Sequence, residues 1–231
     1  MNGELLVVDD VPAEFSERVI EAFHSRPGES FCMAVSGGET ARRCYERLAA
    51  DGADQIDWWQ VDVYWGDERC VPPDHPDSNY GMAKGALLDR LRVPPPAVHR
   101  IRGELGKDAA AGAYEEELDA TALDLLLLGL GPDGHVASLF PNFPTLEVRD
   151  RRVVPTEAGH EPFVDRVSMT LPALCGAASV LFLVTGESKA AAAAKAFAGD
   201  PDPSVPGSLV RAESGRTAAI LDRFAAAGLL D

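Results

Sequence analysis

Positive charge is scarce in this sequence. Only 21 lysine and arginine residues stand against 37 aspartate and glutamate residues, for a formal net charge of −16 at pH 7. Nucleic acids and anionic membrane surfaces bind basic protein faces, so we expect neither as a partner. A small anionic ligand is compatible with this charge only if a local cluster of donors holds it against the overall field.

Cysteine is also sparse, and its four copies are widely spaced. Because they form no CxxC pair, the sequence predicts neither a zinc site nor a disulfide framework, and we expect reduced thiols. No apolar stretch is long enough to span a bilayer, and the acidic first ten residues do not resemble a signal peptide. We therefore expect a cytoplasmic protein.

The chain does contain a regular alternation of apolar and amphipathic segments. Strands are predicted at residues 5–8, 31–35, 61–65, 123–128, 166–170, 179–185 and 217–221. Helices are predicted at residues 12–24, 41–50, 83–91, 109–118 and 186–198 and at the end of the chain. This alternation indicates an α/β fold: a three-layer, mostly parallel sheet with helices on both faces (modified Rossmann-like), in one domain over residues 1–231. The proline-rich stretch 200–207 is interpreted as a surface connection.

The most informative segment is the apolar run that begins at Leu123 and ends in the turn Gly129-Leu-Gly-Pro-Asp-Gly-His135. Such a run is typical of a buried parallel strand, and ligands bind beyond the carboxyl ends of parallel strands. Asp133 and His135 are therefore candidates for chemistry, since histidine suits general acid–base work near neutral pH. A purely structural histidine is the alternative. The turn also fits GxGxxG, but Pro141 prevents the long helix that dinucleotide binding requires.

A second glycine turn, Ser36-Gly-Gly-Glu-Thr40, joins a predicted strand to a predicted helix. Glycines allow close backbone approach to a ligand, and a helix N-terminus offers free N–H groups, which together suit a phosphate. The alternative is a tight turn with Thr40 as the helix N-cap. We do not interpret Ser36 as a hydrolase nucleophile, because it follows only the second strand and no histidine occurs after His160.

Charged residues follow other predicted strands. Asp67, Glu68 and Arg69 form either a solvated salt-bridging loop or part of a site, since they lie at the same predicted sheet edge as His135. Lys189 falls in the first turn of a predicted helix, where a cation opposes the helix dipole unless an anion binds there. A further helix is expected to start near Asn79, with Ser78 or Asn79 as its cap.

Six motifs in one order along nearly the whole chain resemble the 6-phosphogluconolactonase family, the α/β type related to glucosamine-6-phosphate deaminases. They are Ser36-Gly-Gly-Glu-Thr40, Gly66-Asp-Glu-Arg69 with Val71-Pro72, Ser78-Asn-Tyr80, Gly129-Leu-Gly-Pro-Asp-Gly-His135 with Ser138-Leu-Phe-Pro141, Arg166-Val-Ser-Met-Thr-Leu-Pro172, and Thr185-Gly-Glu-Ser-Lys189-Ala. The resemblance implies hydrolysis of 6-phospho-D-glucono-1,5-lactone to 6-phospho-D-gluconate in the oxidative pentose phosphate pathway. It implies no metal and no organic cofactor.

The same resemblance implies roles for individual residues, with His135 as the catalytic base and Arg69 near the reacting end of the substrate. The implied catalytic residues are His135, Asp133, Arg69 and Asp67. The implied substrate-binding residues are Ser36, Gly37, Gly38, Thr40, Asn79, Gly134, Arg166 and Lys189. The expected partner is a phosphorylated sugar lactone, and we expect a monomer, with weak self-association as the alternative.

Two other functions are compatible with these residues. A glucosamine-6-phosphate deaminase/isomerase would use a carboxylate base near the position of Asp67, and a non-catalytic sugar-phosphate sensor would keep the phosphate cradle without needing His135. The chain departs from the family at residues 158–165, where many members carry Ser-Pro-Lys-Pro-Pro. Here His160 is a candidate for part of the missing basic contact.

Overall fold

The computed structural model describes residues 3–159 and 161–229, which contain ten strands and six α-helices. The strands are β1 (Glu4–Val7), β2 (Phe31–Val35), β3 (Val61–Trp65), β4 (Asp67–Arg69), β5 (Ala97–His99), β6 (Leu125–Gly129), β7 (Val153–Thr156), β8 (Arg166–Met169), β9 (Ser179–Val184) and β10 (Arg216–Leu221). The helices are α1 (Val11–Ser25), α2 (Glu39–Asp51), α3 (Asn79–Ala86), α4 (Lys107–Leu118), α5 (Leu171–Cys175) and α6 (Ala190–Ala198). Within these ranges no helix has both the length and the apolar character needed to cross a membrane.

Seven strands form the central sheet in the order β1-β10-β9-β6-β2-β3-β5, and every neighbouring pair is parallel. The residues of β6 and β9 are buried on both faces, as expected for strands covered by helices on each side. The predicted α/β fold with a mostly parallel sheet is confirmed. The order also makes β9, β6, β2 and β3 consecutive neighbours, so the turns after these strands meet at one edge.

A second, antiparallel sheet has the order β4-β8-β7 and corrects two predictions. Residues 67–69, which allowed a loop interpretation, form β4, and residues 166–169 pair with them instead of joining the parallel sheet. The three residues of β4 are all charged, so they do not show the alternation of apolar and polar residues that predicts a strand. Their partners in the sheet, Arg166 and Ser168, lie far away in the sequence. Local sequence could not show this pairing.

Three predicted helix boundaries are wrong. The helix predicted at 83–91 is part of α3, which ends at Ala86. The helix start expected near Asn79 is confirmed, and Ser78 caps it by accepting a hydrogen bond from the Gly81 N–H at 3.0 Å. Thr40 is not a cap, because α2 begins at Glu39 with Gly38 before it. In the described part of the C-terminal segment only a 3-10 turn, Ala227–Leu229, takes the place of the predicted terminal helix.

The stretch 200–207 is more than a surface connection, because residues 205–208 are buried. The Gly207 N–H donates to the Gly134 carbonyl at 2.9 Å, and the Asn142 N–H donates to the Pro203 carbonyl at 3.0 Å. The segment therefore packs behind the glycine-rich turn that follows β6. Proline content suggested a surface location, but these backbone hydrogen bonds and the burial of Val205 override that tendency.

Candidate active site

A cavity of about 440 Å³ lies at the carboxyl edge of β2, β6 and β9, bordered by β4 and β8. Ten of the twelve predicted site residues line it: Ser36, Gly37, Gly38, Thr40, Asp67, Arg69, Asn79, His135, Arg166 and Lys189. The remaining two, Asp133 and Gly134, belong to the turn that carries His135 but are not part of the cavity wall. This location is the one at which parallel sheets bind ligands.

The turn after β6 places His135 against Asp133. Gly134 adopts a positive φ of 89°, and the turn is closed by the Gly131 N–H donating to the His135 carbonyl at 2.8 Å. Asp133 Oδ1 lies 2.6 Å from Nδ1 of His135 and also accepts the His135 backbone N–H at 3.2 Å. With Nδ1 donating to this carboxylate, a neutral imidazole carries its lone pair on Nε2. The pair therefore has the arrangement of a histidine base oriented by a carboxylate.

The glycine turn after β2 forms a second wall of the cavity. A side chain at Gly37 would overlap the amide of Asn79, and Gly38 has a φ of 104°, which disfavours other residues. Thr40, at the start of α2, shares a 2.6 Å hydroxyl–hydroxyl hydrogen bond with Thr185. The Ser36 Oγ is buried and has no hydrogen-bond partner among the described residues. Backbone N–H groups, hydroxyls and a helix N-terminus thus converge where an anion can bind.

Three cationic side chains line the same cavity. Lys189 is half-buried before α6, so burial lowers its pKa, and the charge of Asp133 partly offsets this effect. Arg166 and Arg69 are register neighbours on β8 and β4. Burial, followed by the charge of Arg69, lowers the pKa of Arg166, while Asp67 opposes this shift. An anionic ligand would relieve both the desolvation and the repulsion between these cations.

Asp67 is held on both carboxylate oxygens. Its Oδ2 accepts a hydrogen bond from the Ser138 Oγ at 2.6 Å, and its Oδ1 accepts one from the Asn79 Nδ2 at 3.1 Å. Ser138 lies three residues after His135 and is fully buried. This contact ties the turn that carries His135 to β4. Ser138 belongs to a motif that sequence reasoning singled out, but its link to Asp67 could not be inferred from a separation of 71 residues.

Glu68 is a buried carboxylate that is not among the twelve predicted site residues. It accepts the backbone N–H groups of Arg69, Asn79 and Tyr80, each at 2.7 Å, and the Ser78 hydroxyl at 3.0 Å. Burial raises the pKa of Glu68, and these backbone hydrogen bonds oppose the rise. Glu68 thereby fixes the start of α3, which presents Asn79 to the cavity.

Thr185, immediately after β9, lines the cavity but was not selected, although a polar residue directly after a buried strand is a usable signal. His160, suggested as a replacement contact, lies outside the described residues. Within residues 3–159 and 161–229, no group of three or more His, Cys, Asp or Glu side chains is arranged to hold a metal ion.

The fold and this cavity define a class: α/β proteins with a cavity lined by cationic side chains and glycine turns at the carboxyl edge of a parallel sheet. The family model described as "Glucosamine-6-phosphate isomerases/6-phosphogluconolactonase" matches residues 6–219, and the chain belongs to this family. A 6-phosphogluconolactonase of Streptomyces coelicolor is 36% identical over 97% of this chain and 91% of its own length. The Homo sapiens 6-phosphogluconolactonase is 36% identical over 85% of this chain and 80% of its own length.

Solved structures agree with the family assignment. The 6-phosphogluconolactonase from Thermotoga maritima has a TM-score of 0.86 at 28% identity, covering 96% of this chain and all of that one. The Trypanosoma cruzi 6-phosphogluconolactonase has a TM-score of 0.85 at 27% identity, with 100% and 98% coverage. A monomeric glucosamine-6-phosphate deaminase has a TM-score of 0.83 over 97% of this chain and 99% of its own, but at 18% identity it shows only a shared fold.

Proposed function

We propose that this protein hydrolyses 6-phospho-D-glucono-1,5-lactone to 6-phospho-D-gluconate in the oxidative pentose phosphate pathway, with His135 as general base. The observation that carries the proposal is the 2.6 Å contact between Asp133 and the Nδ1 of His135, in a turn that opens into the cavity shared with Lys189. Relatives named 6-phosphogluconolactonase that cover most of the chain support the choice of substrate.

The reaction needs one activated water and one stabilised oxyanion. The Nε2 of His135 takes a proton from water as the water oxygen bonds to the lactone carbonyl carbon. The tetrahedral intermediate then collapses, the bond from that carbon to the ring oxygen breaks, and His135 returns the proton to the ring oxygen. Asp133 stabilises the imidazolium that forms between these steps. General base catalysis of this kind contributes about 10²–10⁴-fold.

Charge in the cavity suggests which end of the substrate binds where. We place the phosphate at the start of α2, between the hydroxyls of Thr40 and Ser36 and the ammonium of Lys189, because these groups lie around a helix N-terminus. We place the lactone carbonyl near Arg69, whose buried Nε has no hydrogen-bond partner among the described residues. A guanidinium donor at the developing oxyanion lowers the barrier, and the bound phosphate holds the ring in position.

The contacts of Asp67 favour hydrolysis over the deaminase/isomerase reaction. That reaction requires a carboxylate that reaches a substrate carbon, whereas the Asp67 carboxylate is held in place by Ser138 at Oδ2 and by Asn79 at Oδ1. We therefore assign Asp67 the role of holding the turn of His135 in place. A pure sensor would not need the Asp133–His135 pair.

The experiment is to generate the lactone in the presence of the protein and follow its loss by phosphorus NMR. A protein-free sample runs alongside, because this lactone also hydrolyses unaided. A parallel sample with glucosamine 6-phosphate is assayed for ammonia. We expect lactone loss well above the protein-free rate and no ammonia. Lactone loss at the protein-free rate would overturn the proposal, and ammonia release would replace it with the deaminase reaction.

A further inference from the structure

Phe140 lies behind the base, outside the cavity wall, and is nearly fully buried. Its ring centroid is 5.2 Å from that of His135, and the guanidinium carbon of Arg166 lies 5.5 Å from the centroid of the Phe140 ring. Phe143 packs against it at 5.6 Å. One aromatic ring therefore supports both the proposed base and a cation of the substrate cavity.

Gly159, in the stretch between β7 and β8, contacts this ring. A Cβ built on Gly159 would lie 2.7–2.9 Å from three carbons of the Phe140 ring, closer than real Cβ contacts. The Gly159 backbone therefore lies directly against the ring. Its φ is outside the left-handed region, so the absence of a side chain is required by the ring and not by the backbone conformation.

Described residues on either side of Gly159 contact other elements of the protein. The Lys107 Nζ lies 3.6 Å from the Glu157 carboxylate and 3.4 Å from the Asp165 carboxylate. The Asp165 carbonyl also accepts the Cys70 N–H at 2.8 Å. The Arg166 Nη2 donates to the Glu161 carbonyl at 3.3 Å. Glu157, Glu161 and Asp165, chain neighbours of Gly159, thus contact α4, β8 and the residue after β4.

We propose that Phe140 is a positioning residue for His135 and Arg166, and that Gly159 sets the position of its ring. The contact transmits the position of the Gly159 backbone to the base without touching substrate. This inference rests on the proposed function for its kinetic consequence. Ordinary van der Waals contact begins at 3.4 Å, so a methyl group at Gly159 displaces the ring by about 0.5–0.7 Å. Because displacements of about 1 Å at a site cost up to 10²-fold in rate, we expect a roughly tenfold fall in kcat.

The test compares Gly159→Ala with Gly112→Ala, a matched control in α4 where an added Cβ meets nothing within 4 Å. Kinetic constants for the lactone are measured for both, and the imidazole carbon-bound protons of His135 are followed by carbon–proton NMR. Ring currents from Phe140 make those shifts sensitive to the distance between the rings. We expect a lower kcat and moved His135 resonances in Gly159→Ala, and wild-type values in Gly112→Ala.

The same alanine is then placed in a Phe140→Leu background, where the smaller side chain leaves room for it. There we expect Gly159→Ala to lower kcat less than threefold, because the ring it displaces is gone. An equal tenfold fall in both backgrounds, or unmoved His135 resonances in the single variant, would overturn the proposal. The NMR comparison needs neither the Phe140 variant nor any turnover. If the wild-type protein hydrolyses no lactone, the proposed function is wrong. The NMR comparison of wild type with Gly159→Ala still tests the contact between Gly159 and Phe140.

Discussion

Gly131 provides a direct way to disturb the Asp133–His135 pair without removing either side chain. A Cβ built on Gly131 would lie 2.5 Å from the Asp133 Oδ1 and closer still to the Nδ1 of His135. Ordinary van der Waals contacts of a Cβ begin at 3.4 Å. The carboxylate must therefore move by about 0.9 Å or more in Gly131→Ala. A displacement near 1 Å costs about 10²-fold in rate, so we expect kcat to fall by that factor.

Steady-state kinetics with the lactone measure the effect of Gly131→Ala on turnover, and calorimetry with 6-phospho-D-gluconate measures its effect on binding. The groups that we assign to the phosphate, on Ser36, Thr40 and Lys189, lie outside the turn that carries Gly131, so product affinity is expected to stay within about threefold of wild type. Gly85→Ala in α3, where an added Cβ meets no atom within 4 Å, serves as the control and is expected to keep wild-type kinetics. A Gly131→Ala protein that folds and turns over at the wild-type rate would refute the assignment of this pair to catalysis.

Two further predictions concern stability and pH. Glu68→Gln replaces an acceptor of four hydrogen bonds by an amide whose NH₂ faces donors, so we expect a loss of about 2 kcal/mol in the free energy of unfolding by urea. The exposed Glu116→Gln is its control, and equal stability of the two variants would contradict this account. A bound phosphate prefers protonated Lys189, whose pKa is lowered by burial, so affinity for 6-phospho-D-gluconate should be full below that pKa and fall above it. Calorimetry across alkaline pH should show that this affinity falls at a higher pH in Lys189→Arg than in wild type. The same pH profile of affinity in both proteins would count against the role of Lys189.

The central sheet could be predicted because its strands are continuous apolar runs between glycine-rich turns. Residues 31–35 form β2 as predicted, and the run after Leu123 becomes β6, shifted by one or two residues at each end. Since parallel strands present their carboxyl ends at one edge, Arg69 and its neighbour Asp67 are predicted to lie at the same edge as His135. All three line the observed cavity.

The second sheet and the contacts between turns could not be predicted in the same way. The charged residues of β4 lack periodicity, and the hydroxyl bond between Thr40 and Thr185 joins residues 145 positions apart. Such pairings depend on the strand order of the sheet, which local patterns do not encode. The assignment of one domain, the monomeric state and the cytoplasmic location stay predictions, as do the roles of the individual site residues.

The most direct test of the account is the turnover of His135→Ala with the lactone, compared with wild type at equal protein concentration and corrected for spontaneous hydrolysis. We predict a fall in kcat of about 10²–10⁴-fold, while 6-phospho-D-gluconate still binds because the cationic side chains are unchanged. Turnover at the wild-type rate in a folded His135→Ala protein would contradict the claim that this histidine activates the water.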